Sequence, residues 1–406
     1  MITYNGSMIP RHVDRTHLAW RDAVIYQIFI DRFAGYDPHR NPMEKDFIGG
    51  NLAGIRENLA YLQKLGVTCI YLTPFFKGAA YHGYHATDFF SIDPRFGTEL
   101  DLHALVDDAH SHGMKVMIDF VPNHCSNHHP VFVEAQQYPG SQYRSWFRFV
   151  DYPRTYRSFM NLPVLPQFNF DNKDVWQYLI KAGAYWLETF DLDALRLDHV
   201  LGPPVAFWQE FRDAMINVKP EVFLLAEANL NGVDFRRHHA LLSLPISVKE
   251  LRSHGSLAAQ HHALMLAYGD TFDGYLDFTF QGIIVDFVRG ALSFEKAQQM
   301  ILHHVQTLPS KNLVVTQLDN HDLDRIMWTG HNDVNRVAKA IELQFSIDQP
   351  KLIYYGTEIG LTQRAGFQHE LGNTDILARQ PMPPIADRNL NHPLFTAYQR
   401  CTGGIK

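Results

Sequence analysis

The sequence predicts an α/β protein built as a closed (β/α)8 barrel, a TIM barrel. Three observations support this prediction. Strand-like and helix-like segments alternate along the 406 residues, the strand-like segments are almost continuously apolar, and there are eight of them. Apolar strands separated by helices are typical of a parallel sheet that is covered by helices on its faces. Eight such units favour a closed barrel over an open, doubly wound sheet.

The predicted strands are short apolar runs, and they comprise residues 23–30, 67–73, 114–121, 191–199, 222–226, 272–278, 313–317 and 352–355. Helices are predicted where apolar residues recur every three or four positions. Thr98 with Asp101 further predicts a capping box at the start of one helix. The helical patterns comprise residues 52–62, 98–113, 172–186, 206–216, 292–308, 334–345 and 394–400. No glycine-rich GxGxxG or Walker-type loop follows a strand, which leaves a dinucleotide site or a P-loop without support.

Composition restricts the partners and the compartment. The net charge is −7 and there is no basic run, which argues against binding to nucleic acid or to an anionic membrane surface. No apolar run approaches the roughly 20 residues of a membrane-spanning helix, and the N-terminus has no signal-peptide pattern. The three cysteines are far apart in the sequence. They do not suggest a disulfide framework, so a cytoplasmic protein is expected.

A long connection follows the third strand. It has about fifty residues before the next helix, whereas βα loops usually have roughly 2–6. Residues 125–166 are therefore predicted to form an inserted subdomain, and residues 1–124 and 167–406 to form the barrel. The insertion contains Tyr143, Trp146, Phe147, Tyr152 and Tyr156, and the inserted region is expected to roof a cleft.

Charged residues collect where the predicted strands end. The third strand leads into residues 119–124, the fourth into Arg196–His199, the fifth into Glu227 and the seventh into residues 319–325. In a barrel of this type, reactive groups gather at the C-terminal ends of the strands. Because unpaired buried charges are strongly disfavoured, this accumulation predicts a functional site rather than packing.

Arg196 and Asp198 lie two residues apart and would point to the same face of the fourth strand. A fixed guanidinium favours the ionised form of a neighbouring carboxyl group, although a purely structural ion pair is the alternative interpretation. Glu227, in contrast, follows the apolar run 224–226, which is expected to raise its pKa. One ionised and one protonated carboxyl group, about 5–5.5 Å apart, are what cleavage of an acetal with retention requires.

Four segments resemble the signature regions of the α-amylase family of glycoside hydrolases. They are DFVPNH at 119–124, ALRLDH at 194–199, LLAEAN at 224–229 and LDNHD at 318–322. The resemblance extends to QIFIDRF at 27–33, HGYHATD at 82–88 and LPQFN at 165–169, and it covers roughly residues 20–380. Several motifs in register make a chance match improbable.

The resemblance implies a role for each of eight residues. Asp198 is expected to be the nucleophile that forms a covalent glycosyl intermediate, Glu227 the general acid and base, and Asp322 a stabiliser of the transition state. Arg196 is expected to orient Asp198. The expected sugar-binding residues are His124, His321, Tyr84 and, for the next sugar, Arg325.

The implied function is retaining hydrolysis of α-glucosidic bonds in maltooligosaccharides or related α-glucans. A transglycosylase or sugar isomerase of the same family is the alternative, because transfer and hydrolysis share the covalent intermediate. A non-catalytic sugar-binding relative is the third hypothesis. His199 and the pair Ala228–Asn229 differ from the common α-1,4 and α-1,6 patterns of the family, so the linkage stays open.

No cofactor is expected to be required, and calcium is the metal considered. Asp37, Asn41 and Asn51 lie where some relatives have a calcium loop, and Asn123 resembles a calcium ligand in others. Such sites usually contain more carboxylates, and ordinary turn asparagines are the alternative interpretation. Zinc at residues 123–129 is disfavoured, since the spacing of the histidines and the cysteine does not match a zinc motif.

The family usually continues into an all-β C-terminal domain. Here the pattern at 394–400 begins the last barrel helix and the sequence ends at Lys406, so no C-terminal β domain is expected. A last helix of only about two turns would leave an apolar flank of the barrel uncovered. A homodimer that covers this flank is therefore predicted.

Overall fold

The computed structural model describes residues 19–308, 312–366 and 375–403, and a small hairpin of strands Thr3–Tyr4 and Ser7–Met8. Eight parallel strands form a closed barrel, in which the last strand pairs with the first. They are β1 (Val24–Ile28), β2 (Cys69–Leu72), β3 (Lys115–Phe120), β4 (Ala194–Leu197), β5 (Phe223–Ala226), β6 (Gly274–Asp277), β7 (Leu313–Gln317) and β8 (Lys351–Tyr354). The eight predicted strands and the predicted fold class are confirmed. Parts of the predicted segments 1–124 and 167–406 lie outside the described residues.

Helices connect the strands and cover the outside of the barrel. The longer helices are Glu99–Ser111, Lys173–Phe190, Val205–Val218, Leu257–Tyr268, Phe278–Val288, Phe294–Thr307, Val334–Phe345 and Pro393–Thr402. The shorter ones are Ile30–Phe33, Leu52–Arg56, Leu59–Leu65, Pro130–Gln137, Phe235–His238, Val248–Ser253 and Ile326–Thr329. Single 3-10 turns comprise Gln142–Trp146, Phe159–Asn161, His239–Leu241, Thr357–Ile359, Asp375–Leu377 and Ile385–Asp387. In the described part of the chain, no helix is both long and apolar enough to cross a bilayer.

The helix predictions succeed where polar and apolar faces alternate. The capping box is confirmed, since the Thr98 hydroxyl accepts from the Asp101 N–H and the Asp101 carboxylate accepts from the Thr98 N–H. The predicted helix 52–62 is interrupted near Asn58, whose side-chain amide donates to the Gly54 carbonyl at 2.7 Å and so competes with the helical pattern. Helix Phe278–Val288 escaped prediction because it is buried against β7 and four other helices, and its sequence is therefore apolar on most sides.

Strand register brings the polar residues together at one end of the barrel. Asp119 of β3 lies opposite Arg196 of β4, and Leu197 of β4 lies opposite Ala226 of β5. The two residues that follow this last pair, Asp198 and Glu227, therefore leave the sheet side by side. Below them the interior is filled by an apolar layer in which Trp20 stacks on Phe223, with ring centroids 4.6 Å apart.

The segment after β3 contains helix Pro130–Gln137 and an antiparallel hairpin of Phe149–Asp151 and Thr155–Tyr156. The expectation that this segment roofs the cleft stays a prediction. Phe147 and Tyr156 pack against Phe132, with centroid distances of 4.9 and 4.7 Å, and Trp146 packs against Tyr178. These rings thus pack within the segment and against helix Lys173–Phe190.

The last helix closes the ring of helices. Pro393–Thr402 has ten residues and packs against Leu59–Leu65 and Val334–Phe345, burying Leu394, Phe395, Ala397 and Tyr398. The expectation of a two-turn helix and an uncovered flank is therefore wrong. The predicted homodimer is no longer supported by an uncovered flank, and it stays a prediction.

Replacing Phe395 with alanine is expected to lower the free energy of unfolding by about 3–5 kcal/mol, since the ring is fully buried against Tyr61. Urea unfolding followed by circular dichroism measures the change. Leu100→Ala is the matched control, because Leu100 is 80% exposed and should change stability by no more than about 0.5 kcal/mol. Equal effects of the two substitutions would show that the last helix does not close the barrel.

Candidate active site

Arg196 lies at the centre of the polar cluster at the barrel mouth. Its Nη1 atom donates to Asp119 and to Asp198, each at 2.8 Å, and its Nη2 atom lies 2.8 Å from Glu227 Oε2. The arginine side chain is only 1% exposed, so these contacts are shielded from water. A single guanidinium thus joins three carboxyl groups from three neighbouring strands.

Burial raises the pKa of Asp198 and of Glu227, and Arg196 opposes the shift in both. The expected contrast, a low pKa for Asp198 alone, is therefore corrected, because the guanidinium contacts both groups. Two carboxyl groups that share one cation repel each other when both are ionised, which favours a single proton on the pair. Such a pair can supply one ionised and one protonated carboxyl group, the combination needed for acid-assisted displacement at an acetal carbon.

Asp119 holds Arg196 in place and is itself held by two tyrosines. The hydroxyl groups of Tyr71 and Tyr84 donate to Asp119 Oδ2 at 2.6 and 2.8 Å. Removing a carboxylate from water is costly unless its lone pairs are satisfied, and here two hydroxyls and a guanidinium satisfy them. Asp119 is fully buried and therefore positions Arg196 without being open to solvent.

A second polar group lies beside the first and is centred on His321. Its Nδ1 atom is 2.9 Å from Gln27 Nε2, and its Nε2 atom is 2.5 Å from the Tyr84 hydroxyl and 3.1 Å from Asp322. The Gln27 amide faces Nδ1, and the Tyr84 hydroxyl and Asp322 face Nε2, so both groups of the mouth are linked through Tyr84.

Asp322 is the most accessible of these carboxylates, with a side chain that is 44% exposed, and it also accepts from Arg379 at 3.0 Å. Burial raises the pKa of Asp322, but His321 and Arg379 lower it by more. The pKa of this carboxyl group therefore lies well below its usual range. Asp322 is thus an anion with its free side towards solvent, as a group that accepts hydrogen bonds from a ligand should be.

His124 lies on the opposite side of the cluster, under Phe159. The two rings stack with centroids 4.7 Å apart, and Phe159 also meets the ring of His199 at 4.7 Å. Burial and the neighbouring His199 and His85 lower the pKa of His124 to about 3, so its ring is neutral at ordinary pH. The Nε2 atom of His124 is buried without a hydrogen-bond partner in the part of the chain that the structure describes.

Arg325 does not belong to this site, and its predicted role with the next sugar is wrong. The side chain is fully buried, donates to the carbonyl groups of Ala378 and Tyr355, and packs over the rings of Tyr354 and Tyr355. An arginine held in this way supports the loops behind the mouth and cannot reach a ligand in the cleft.

The residues considered for calcium do not fit such a site. The side-chain oxygens of Asp37, Asn41 and Asn51 each accept from a backbone N–H two or three residues further along, which is turn and helix-cap geometry. The side-chain oxygen of Asn123 accepts a hydrogen bond from the Gln167 side-chain amide at 2.9 Å. Over the described ranges, no three His, Cys, Asp or Glu side chains are grouped so that they could hold a metal ion.

The family model described as "Alpha amylase, catalytic domain" matches residues 27–190 and 153–384. The chain belongs to the α-amylase family. Among curated relatives, it is 33% identical over 370 residues to α-amylase 2 of Dictyoglomus thermophilum, covering 90% of this chain and 60% of that protein. It is 31% identical over 366 residues to a cyclomaltodextrinase of Bacillus sp, covering 84% of this chain and 60% of that protein. The chain thus spans about 60% of the length of these relatives.

A solved structure gives the same result for the fold. The ligand-free cyclic α-maltosyl-(1→6)-maltose hydrolase of Arthrobacter globiformis superposes with a TM-score of 0.78 at 27% sequence identity. The match covers 94% of this chain and 82% of that chain. The α-amylase barrel is therefore shared over nearly the whole described chain.

Three residues of this candidate site were missed by the sequence analysis. Arg379 contacts Asp322, Tyr71 contacts Asp119, and Phe159 contacts both His124 and His199. Tyr71 lies in a predicted strand, where an aromatic residue is normally read as core. Arg379 and Phe159 lie in irregular segments without a periodic pattern, so no local signal could have assigned them to the mouth.

Gly202→Ala is expected to disturb this candidate site without removing a charged group. A Cβ atom at this position would lie 1.9 Å from the Asn123 side-chain oxygen, which would displace Asn123 from Gln167. We expect a loss of about 1–3 kcal/mol in unfolding free energy together with reduced activity. Gly140→Ala is the control, since nothing lies within 4 Å of its Cβ position. An unchanged thermal midpoint for the Gly202 variant would contradict the packing described here.

Proposed function

We propose that this chain hydrolyses α-glucosidic bonds in maltooligosaccharides or related α-glucans, with retention of anomeric configuration. The observation that carries the proposal is the pair of carboxyl groups, Asp198 and Glu227, that contact one buried guanidinium at the barrel mouth. The names of two similar proteins, a cyclomaltodextrinase and a hydrolase of cyclic α-maltosyl-(1→6)-maltose, support α-glucans as the substrate class.

In the proposed first step, the Asp198 carboxylate attacks the anomeric carbon and the glycosidic C–O bond breaks. Glu227 gives its proton to the departing oxygen, which leaves a covalent glycosyl ester and an ionised Glu227. In the second step, Glu227 takes a proton from water as the water oxygen attacks the anomeric carbon, and the ester bond to Asp198 breaks. Two inversions at one carbon give net retention.

The other mouth residues are proposed to bind the sugar ring that reacts. Asp322 accepts from sugar hydroxyls and stabilises positive charge on the ring in the transition state. His321 and His124 donate to or accept from hydroxyls, and the unpartnered Nε2 of His124 suits this role. Tyr84 stacks on His321 with one face, at 5.3 Å between centroids, so its other face is the one proposed to lie under the sugar.

Hydrolysis and glycosyl transfer differ only in the acceptor that reaches the glycosyl ester.

The homodimer and the cytoplasmic location remain part of the proposal. The three cysteines are present as free thiols, which supports a reducing compartment.

Loss of the proposed nucleophile and of the proposed acid should be separable with two substrates. Asp198→Asn is expected to lower kcat about 10^4-fold or more on both maltotriose and an aryl α-glucoside with a good leaving group. Glu227→Gln should lower kcat/KM by about 10^2–10^4-fold on maltotriose and far less on the aryl substrate, because kcat/KM reports the first step and that leaving group needs no proton there.

Chromatography of products from maltotriose and β-cyclodextrin, with and without added glucose, measures activity and detects transfer. NMR of the first product reports the anomeric configuration. Asp191→Asn is the control, since Asp191 is 77% exposed and lies at the other end of β4. Full activity of Asp198→Asn, or an inverted first product, would refute the proposal.

Asp119→Asn is expected to shift the pH profile of kcat/KM towards lower pH. The acid limb reports protonation of Asp198 and the basic limb reports deprotonation of Glu227. The negative charge of Asp119 raises both pKa values, so neutralising it lowers both and moves both limbs in the acid direction. Asp107→Asn, on an exposed face of helix Glu99–Ser111, should leave the profile in place. A shift towards higher pH would be inconsistent with the assigned roles.

A further inference from the structure

A cavity of about 110 Å³ lies between three loops behind the barrel mouth. Its walls include Arg148, Arg157 and Asp171 from the segment between β3 and helix Lys173–Phe190. The loop after β5 contributes Ala240, and the loop after β4 contributes Gly202. Asp198, Glu227 and Asp322 do not line it, so the cavity is separate from the candidate active site.

The charges around this cavity do not balance. Arg148 forms an ion pair with Asp171 and also donates to Asn169. Arg157 donates through Nη1 to the Ala240 carbonyl at 2.8 Å and, among the described residues, has no carboxylate within 4.0 Å. Burial and, to a smaller extent, repulsion by the neighbouring Arg148 guanidinium lower the pKa of Arg157. An anion between them would relieve this repulsion.

The size of the cavity selects a small ligand. One bound water needs about 10–15 Å³ of such volume, so the space exceeds that of several waters. Pockets for drug-sized molecules usually have roughly 300–1,000 Å³, which makes this cavity small for a bound oligosaccharide. A guanidinium group presents N–H donors in a planar fork, and this geometry suits the oxygens of phosphate or sulfate.

We propose that Arg157 and Arg148 form a binding site for a tetrahedral oxyanion, either free phosphate or the phosphate group of a phosphorylated sugar. Arg157 binds the oxyanion through Nε and Nη2, the nitrogens that it does not use on Ala240. Arg148 adds its positive charge, and Asp171 weakens binding because it is a carboxylate beside the anion.

The site is connected to the loops that carry the reacting groups. Arg157 and Gln167 hold the carbonyl groups of Ala240 and Leu241, each at 2.8 Å, in the loop after Glu227. Gln167 also donates to Asn123, next to His124. An anion on Arg157 therefore tightens three loops at once, and binding should raise the thermal midpoint of the full chain.

Calorimetric titration of the full chain with inorganic phosphate, glucose 6-phosphate and glucose tests the proposal, at an ionic strength matched with sodium chloride. Arg157→Gln should raise Kd about tenfold or more, since one charge-assisted contact is lost. Asp171→Asn should lower Kd. Because this change in Kd is opposite to that of Arg157→Gln, it tests the proposal even if the Arg157 variant folds poorly. Arg154→Gln is the control, because Arg154 is 78% exposed outside the cavity.

Saturable binding of phosphate or glucose 6-phosphate that follows this pattern would support the site. Binding of both ligands would identify the phosphate group as the recognised part, whereas binding of the ester alone would identify a phosphorylated sugar. The proposal is overturned if neither ligand binds, if glucose binds as well as its phosphate, or if Arg157→Gln binds as tightly as the unaltered chain.

Discussion

The contact of one buried guanidinium with three carboxyl groups is the interaction on which the mouth of this barrel depends. Arg196 is surrounded by Asp119, Asp198 and Glu227, and its charge compensates groups that could not otherwise remain buried. The cluster carries more acid than base, so a proton is readily retained on it. This shortage of positive charge suits a site in which one carboxyl group is ionised and the other is protonated.

The barrel makes this contact possible by its register. Asp119 and Arg196 are partners across β3 and β4, and Asp198 and Glu227 follow paired residues of β4 and β5. The three strands converge at their C-terminal ends, while an apolar layer below excludes water from the interior. Rigid strands thus hold the proposed reacting groups, and the surrounding loops supply Tyr84, Phe159 and Arg379 to shape the cleft. Precise placement on strands with variable contacts on loops is the usual division in barrels of this type.

The segment after β3 contributes to the structure in two places. Several of its aromatic residues pack against one another, and Phe159 contacts His124 and His199 at the mouth. The same segment carries Arg148 and Arg157, which face a cavity shared with the loops after β4 and β5. The segment therefore contacts both the mouth and that cavity.

The sequence by itself determined the eight strands, the barrel and the charged residues at the strand ends, because apolar runs and the residues that end them are local properties. The tertiary structure alone decided which arginine reaches the cleft. Arg325 lies three residues after Asp322 yet is fully buried, whereas Arg379 contacts Asp322 from 57 residues away. The tertiary structure likewise decided that Arg196 contacts both Asp198 and Glu227 rather than Asp198 alone. Such contacts depend on how separate loops and strands meet in space, and a local pattern of residues does not determine how they meet.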